Sequence, residues 1–572
     1  MEFRKSLLAL AISGSVIALA GCTDDGTDGT DGVAGISQTL IELNVLGTYN
    51  SGTFDESAAE IVAHDAINQR LFVINANDSS VDVLDINDPE MPTKLSTIDA
   101  SAEGASANSV AVYGNLVAVA IEATVKQDNG KVVFYNTTDL NKVGEVTVGA
   151  LPDMVTFTRG GQKVLVANEG EPSDDYSNDP EGSVSIIDIS NGVASATVTT
   201  AGFTAFNADQ ANLEAAGLRV FGPNATLAQD MEPEYIAVSI DNTKAWVTLQ
   251  ENNAVAELDI AAGEISAIVP LRFKNHGLIG NELDASNDDD GINIRNWPVK
   301  GMYMPDSIAS YGYNGKTYYL TANEGDSRDY DGWTEEFRMG DLTLTGALAG
   351  IANLQDDANL GRLNTTSTMG ISNGCNPSQL PADLGDLNSD TNVDVDDVKF
   401  YVENNCEYDT LYSYGARSFS IWSADGQRVF DSGSEFERIT ASLIPDNFNG
   451  NNDENSFDNR SDDKGPEPEA ITTGTINGQT FVFIGLERAG GIMVYNVTNP
   501  QNPEFVQYIN NRDFSVSQTD LENGMAGDLG PEGFAFIPAG SSPNSKPMLV
   551  VGNEVSGTTT LYGIDVIESS AN

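Results

Sequence analysis

One unit recurs seven times along the chain, and this repeat constrains the fold more than any other feature. A small or acidic residue opens an apolar run, a turn follows, and a second apolar run ends on a polar or acidic residue. The opening runs are AEIVAHD (from Ala59), NSVAVYG (from Asn108), PDMVTFT (from Pro152), PEYIAVS (from Pro233), PDSIASY (from Pro305), PEAITTG (from Pro468) and PEGFAFI (from Pro531). The answering runs are RLFVINAN, NLVAVAIE, KVLVANE, KAWVTLQE, KTYYLTANE, TFVFIGLE and MLVVGNE. Short β-rich runs punctuated by turns, repeated as a unit that cannot bury its own faces, predict an all-β, seven-bladed β-propeller. Two smaller β domains are the alternative. The last unit lacks an outer strand, and residues 40–48 (LIELNVLGT) are expected to supply it and close the ring.

Propeller geometry gives the acidic residues a place. In each blade the innermost strand begins on the face where the second strand ends. The first-strand starts carry Glu60, Asp153, Glu234, Asp306, Glu469 and Glu532, with Ser109 in the second blade. The second-strand ends carry Glu122, Glu169, Glu251, Glu324, Glu487 and Glu554, with Asn77 in the first blade. Two stacked rings of carboxylates are thus expected around one mouth of the central channel. Like charges so close are unfavourable unless protons or cations intervene. A solvated acidic funnel is one reading and bound Ca²⁺ the other. The long connections 197–232, 271–304, 440–467 and 511–530, and an insertion at 325–409 in blade five, open onto the same face.

Composition narrows the chemistry. The chain of 572 residues has 85 Asp+Glu against 28 Lys+Arg, a net charge of −57. Such a chain repels phosphate backbones, which excludes nucleic acid as a partner. With 2 His and 3 Cys, multi-His zinc or iron centres and four-Cys sites are excluded. Hard, oxygen-ligated cations remain, Ca²⁺ above all.

Residues 1–22 read as a lipoprotein signal peptide. Arg4 and Lys5 precede a short apolar stretch that ends in Leu19-Ala20-Gly21-Cys22, a sequence that resembles a bacterial lipobox. The resemblance implies a lipid on Cys22 and an outer-membrane or cell-surface location in the bacterial envelope; the polar, Gly-rich stretch that follows reads as an Asp/Gly/Thr tether over 23–37 before the propeller over 38–572. With Cys22 lipidated, Cys375 and Cys406 are left as a pair in an exported, disulfide-permissive setting, two reduced thiols being the alternative.

Within the insertion, Gly385-Asp386-Leu387-Asn388-Ser389-Asp390-Thr391-Asn392-Val393-Asp394-Val395-Asp396-Asp397 resembles a dockerin-type EF-hand loop (385–404). The resemblance implies Ca²⁺ ligands at Asp386, Asn388, Asp390, Asn392 (through its carbonyl), Asp394 and Asp397, with Val393 at the apolar position. Thr391 stands where such loops carry Gly. A dockerin has two such loops and this chain shows one, so cohesin binding is not expected. The insertion is expected to have little core of its own and to be ordered by the ion and the disulfide.

Three acidic clusters share the loop face. Asn168 to Tyr176 (NEGEPSDDY) and Asn323 to Tyr330 (NEGDSRDY) are near copies, and Asn451 to Lys464 runs into GPEPE. The cations Arg328, Arg460, Lys464, Arg488 and Arg512 stand among them, either as salt-bridge partners or as a grip on an oxyanion. These segments, with LERAGGIMVYNVTNP and PEGFAFIPA, make the mature chain resemble the choice-of-anchor I family of exported bacterial propellers, whose members are often labelled alkaline-phosphatase-like. More loosely, they are similar to calcium-dependent propeller phosphatases and phytases.

Two functions follow as expectations. One is metal-dependent phosphoester hydrolysis. In it Ca²⁺ on Glu169, Glu171, Glu234, Glu324, Asp326, Glu469, Glu532 and Glu554 activates water, Glu469 doubles as a catalytic residue, and Arg328 and Arg460 steady the phosphoryl oxygens of a small phosphoester. The other is a non-catalytic, calcium-stabilised adhesion or partner-binding module. A monomer is expected. No nucleophile elbow or Ser-His-Asp set is present, and His64 and His276 lie in unrelated contexts.

Overall fold

The computed structural model describes residues 39–567. The expected signal peptide, Cys22 and the expected 23–37 tether lie outside the described residues.

Among the described residues, seven four-stranded antiparallel sheets account for the seven repeats. The first is Val62–Asp65, Arg70–Asn75, Ser80–Asp85 and Thr93–Asp99, and the second is Ala107–Tyr113, Leu116–Ile121, Asn129–Asn136 and Lys142–Ala150. The third runs from Pro152–Phe157 to Thr197–Gly202, and the fourth from Pro233–Val238 to Glu264–Pro270. The fifth pairs Ile308–Tyr313, Lys316–Asn323, Ser418–Ser423 and Arg428–Asp431. The sixth runs from Pro468–Ile476 to Glu504–Ile509. The seventh joins Pro531–Ile537, Met548–Asn553 and Thr558–Ile567 to Leu40–Asn50. The N-terminal strand therefore is the outer strand that the last repeat lacks. Its register runs from Leu40 opposite Ile567 to Asn50 opposite Thr558.

Burial explains the strand order. The second strand of each sheet is apolar on both faces; all eight residues of Gln479–Leu486 are buried. A strand covered on two sides needs a continuous apolar run. The outer strand of the first sheet, Thr93–Asp99, exposes all but Ile98, and its Thr, Lys, Ser and Asp residues suit that. Between each pair of neighbouring sheets lies an apolar layer. Phe72 and Val81 meet Val117 and Val133 between sheets one and two. Leu71 and Leu84 meet Met548 and Val550 between sheets one and seven. The intervening pairs are sealed in the same way. The layers thus close on themselves, which is β-propeller architecture.

The insertion corrects one expectation. It leaves the fifth sheet after Asn323 and returns at Ser418, and it has a substantial core. Phe337, Met339, Leu342, Leu360, Leu363, Val402 and Tyr408 pack with Leu283, Trp297 and Val299 from the 271–304 connection. Strands Phe273–Asn275, Lys300–Met302, Tyr412–Ser413, Asn364–Thr366 and Glu336–Arg338 join the two segments in one five-stranded sheet. Each segment looks polar and loop-like alone, because the apolar partner lies in the other. Cys375 and Cys406 form a disulfide with Cα atoms 5.1 Å apart, and Cys406 belongs to this core.

Candidate metal centre

The acidic side chains reach the channel mouth through a local backbone device. At the opening of five first strands the pairing register slips by a residue or more: after Ala107, Pro152, Pro233, Pro468 and Pro531. In four of these the residue after Pro is the acid: Asp153, Glu234, Glu469 and Glu532. Pro brings no N–H to the ladder, and a bulge re-aims the next side chain. The second-strand acids follow directly on strands that end at Asn168, Asn323, Leu486 and Asn553.

A cavity of about 390 Å³ opens there, lined by Glu60, Glu122, Asp153, Glu169, Asp306 and Glu532 among others. These acids come from the first, second, third, fifth and seventh sheets, and Tyr235 also lines it. Burial, then Glu554, pushes Glu60 up to about 8. Burial, then Glu171, pushes Asp153 up to about 7. Burial also raises Glu169, Glu234, Asp306, Glu469 and Glu532 well above the carboxylate range, with neighbouring carboxylates adding to it. Buried oxygens at Glu234, Glu251, Glu469 and Glu532 have no hydrogen-bond partner, in each case Oε2.

Three groups of carboxylates bring one oxygen each within 4.8 Å of one another: Glu60, Glu532 and Glu554; Asp306, Glu324 and Glu469; and Glu324, Glu467 and Glu487. The third is served by the protein itself. Lys464 Nζ lies 2.9 Å from Glu324 and 3.1 Å from Glu467. Arg460 and Arg488 also contact Glu467, at 2.7 and 3.3 Å. Burial alone would raise Glu467, but these three cations outweigh it and hold it at about 2.

The remaining expected residues fall as follows. Glu171 lines the cavity and pairs with Lys126 at 3.2 Å. Asp326 is half exposed, 3.6 Å from Lys464. Arg328 is buried and bound on all sides: Nη1 donates to Asp230 at 2.5 Å, Nε to Glu232 at 3.1 Å, and Nη2 to the Asp230 carbonyl at 2.9 Å. Arg460 is held by Asp463 at 2.9 Å and by Glu467. Arg512 donates to the backbone carbonyls of Asn451 and Glu454. His276 is buried, its Nδ1–H donating to the Asn281 carbonyl at 2.7 Å, and burial lowers it to about 3.

In the EF-hand-like loop, Asp397 Oδ1 accepts from the amides of Leu387 and Asn388 at 2.6 and 3.2 Å. This folds the last ligand position back onto the first. Asp386, Asn388, Asp390 and Asp394 each accept an amide from within the loop. Asp394 also caps the helix Val395–Asn405. The donors are all hard oxygens, which fits Ca²⁺. Val393 is 52% exposed and packs into no core.

Sequence reasoning missed Glu467 and Lys464 as a pair. Their signal was present: Lys464-Gly465-Pro466-Glu467 puts both at the entry to a first strand.

The family model for the choice-of-anchor I domain matches residues 60–500. The chain belongs to the choice-of-anchor I family. It is 32% identical over 170 residues to Gigasin-3a of Magallana gigas, covering 27% of this chain and 58% of that protein. It is 26% identical over 304 residues to a mesenchyme-specific cell surface glycoprotein of Strongylocentrotus purpuratus, covering 48% of this chain and 36% of that one. The chain thus spans less than two thirds of either relative. Among solved structures, a streptogramin B lyase aligns at TM-score 0.41 and 9% identity, over 92% of this chain and 98% of that one. The Cps50 (Swd1) β-propeller domain of Myceliophteria thermophila aligns at 0.39 and 8%, over 91% and 99%. At these scores the likenesses carry no functional argument.

Proposed function

We propose that this choice-of-anchor I protein is an exported, calcium-binding, seven-bladed propeller that acts at the cell surface as a non-catalytic adhesion or partner-binding module. The seven sheets are its blades, Cys22 carries its lipid anchor, and Ca²⁺ is taken up at the channel mouth and at the 386–397 loop. Bound there, Ca²⁺ would neutralise the acids and tie loops from separate blades together. The printed name of one relative, a cell surface glycoprotein, supports the location.

The observation that carries this reading over phosphoester hydrolysis is the commitment of the cations. Arg328, Arg460, Lys464, Arg488 and Arg512 are each bonded to carboxylates or carbonyls of the protein. A phosphoryl group would have to break ion pairs to reach Arg328, Arg460, Lys464 or Arg488, and leaving a buried charge unpaired costs about 3–5 kcal/mol. The test compares purified protein in Ca²⁺ and in chelator, by melting temperature and by turnover of an aryl phosphate. The reading expects a higher melting temperature in Ca²⁺ and no turnover. Calcium-dependent turnover abolished by Glu469→Gln would establish the hydrolase instead.

A further inference from the structure

The three carboxylate groups at the mouth are not alike in how their charge is met. Glu324, Glu467 and Glu487 have Lys464 among them. Among the described residues, no Lys, Arg or His forms an ion pair with Glu60, Glu532, Glu554, Asp306 or Glu469; the second cluster meets a cation only through Glu324, which it shares with the third and which holds Lys464 at 2.9 Å. The chain has thus built one cation into the cluster around Glu467, left the Glu60 cluster without one, and left Asp306 and Glu469 unpaired beside the shared Glu324.

Those two share a single construction. Glu532 opens the first strand of the seventh sheet, Glu554 follows its second strand, and Glu60 precedes the first strand of the next sheet round the ring. Asp306 precedes the first strand of the fifth sheet, Glu324 follows its second strand, and Glu469 opens the first strand of the sixth. Each site therefore takes the two acids of one sheet and one acid of its neighbour. Because a first-strand acid is used once, such sites fall on alternate sheet boundaries, as these two do.

Backbone packing fixes the first site. A Cβ at Gly552 would stand 2.1 Å from the Glu60 carbonyl oxygen, and one at Gly533 2.3 Å from it. Only glycine lets Glu60 approach the seventh sheet so closely. At the second site, a Cβ at Gly415 would stand 1.9 Å from the Glu324 carbonyl oxygen, so the returning insertion presses on the residue that supplies a ligand. Unused ligand atoms point the same way. Glu532 Oε2 and Glu469 Oε2 are buried without a partner. Glu234, only 7% exposed, also leaves Oε2 unpartnered, with Glu251 and then Asp306 the foremost charges acting on it.

We infer that the mouth holds two hard divalent cations of the Ca²⁺ class, one on Glu60, Glu532 and Glu554 and one on Asp306, Glu324 and Glu469, with Lys464 as the built-in cation of the third cluster. This deepens the calcium-binding reading above and rests on it. Three carboxylates give a divalent ion more than its charge, and waters or further oxygens complete the six to eight ligands that Ca²⁺ takes. Each ion would clamp two neighbouring sheets at the mouth.

The test counts bound Ca²⁺ by equilibrium dialysis on four forms of the full mature chain: the natural sequence, Glu532→Gln, Glu469→Gln, and Asp386→Ala/Asp390→Ala, which disables the EF-hand-like loop. The expected result is the loss of one ion in each Gln variant and the retention of two in the loop variant. In chelator, each Gln variant should melt no lower than the natural protein, since it removes a charge from a crowded cluster; this separates lost binding from lost folding. Unchanged ion counts in both Gln variants, or no ion left in the loop variant, would overturn the two mouth sites while leaving a calcium-binding loop. A natural chain that binds no Ca²⁺ would overturn the calcium reading as a whole.

Discussion

At the scale of single residues, Thr391 shows how a departure from a motif becomes a physical cost. It has φ +83°, where a β-branched side chain is an outlier and Gly is at ease. Strain of this kind costs about 1–3 kcal/mol. Thr391 is exposed, so replacing it loses no packing. Thr391→Gly is therefore expected to tighten Ca²⁺ at the loop by about 1 kcal/mol, roughly fivefold in affinity. Calcium titration of the isolated loop event, with the mouth sites removed by Glu469→Gln and Glu532→Gln, checks this. The residue identities at the mouth were legible, because an acid after Pro at the head of an apolar run recurs visibly in the chain. The bulge beside Asp153, Glu234, Glu469 and Glu532 was not. It is a pairing property of two strands, and no single strand carries it. Arg328 shows the same limit: its partners Asp230 and Glu232 lie far away in sequence, so a committed guanidinium and a free one read alike.

At the scale of elements, the strands and the place of the insertion were legible and the insertion's core was not. Gln479–Leu486 is buried throughout and apolar from Phe481 on, so pattern and burial largely agree. The insertion's core is assembled from segments that sequence places apart, such as Trp297 and Phe337, and neither segment has a periodicity that announces the other. The disulfide is one tie among several there. It closes a loop with a sequence separation of 31, worth about 4 kcal/mol by chain entropy. Cys375→Ser/Cys406→Ser is expected to raise amide hydrogen exchange across the helix Val395–Asn405 and its neighbours. Exchange in the second strands of the seven sheets should stay slow, since the apolar layers between sheets do not depend on the bridge.

At the scale of the whole molecule, the net charge of −57 divides into a solvated part and a part that the ring of sheets crowds around one opening. Crowding makes the fold sensitive to pH. Glu60 and Glu487 are pushed up to about 8, and Asp153 and Glu251 to about 7, in each case by burial first. In the unfolded chain such groups titrate at about 4. Between these values the folded, cation-free protein holds protons that the unfolded chain has released. Without cations its stability therefore falls as pH rises from about 4 to 8. On the calcium-binding proposal, Ca²⁺ would reverse the penalty by taking the place of those protons, and it would bind best once they have left. The most direct measurement of the central claim is the melting temperature against pH, in chelator and in Ca²⁺. The account predicts a chelator curve that declines toward pH 8 and a calcium-induced increment that grows through pH 7 to 8. An increment that is absent, or flat across that range as ordinary surface carboxylates would give, would contradict it.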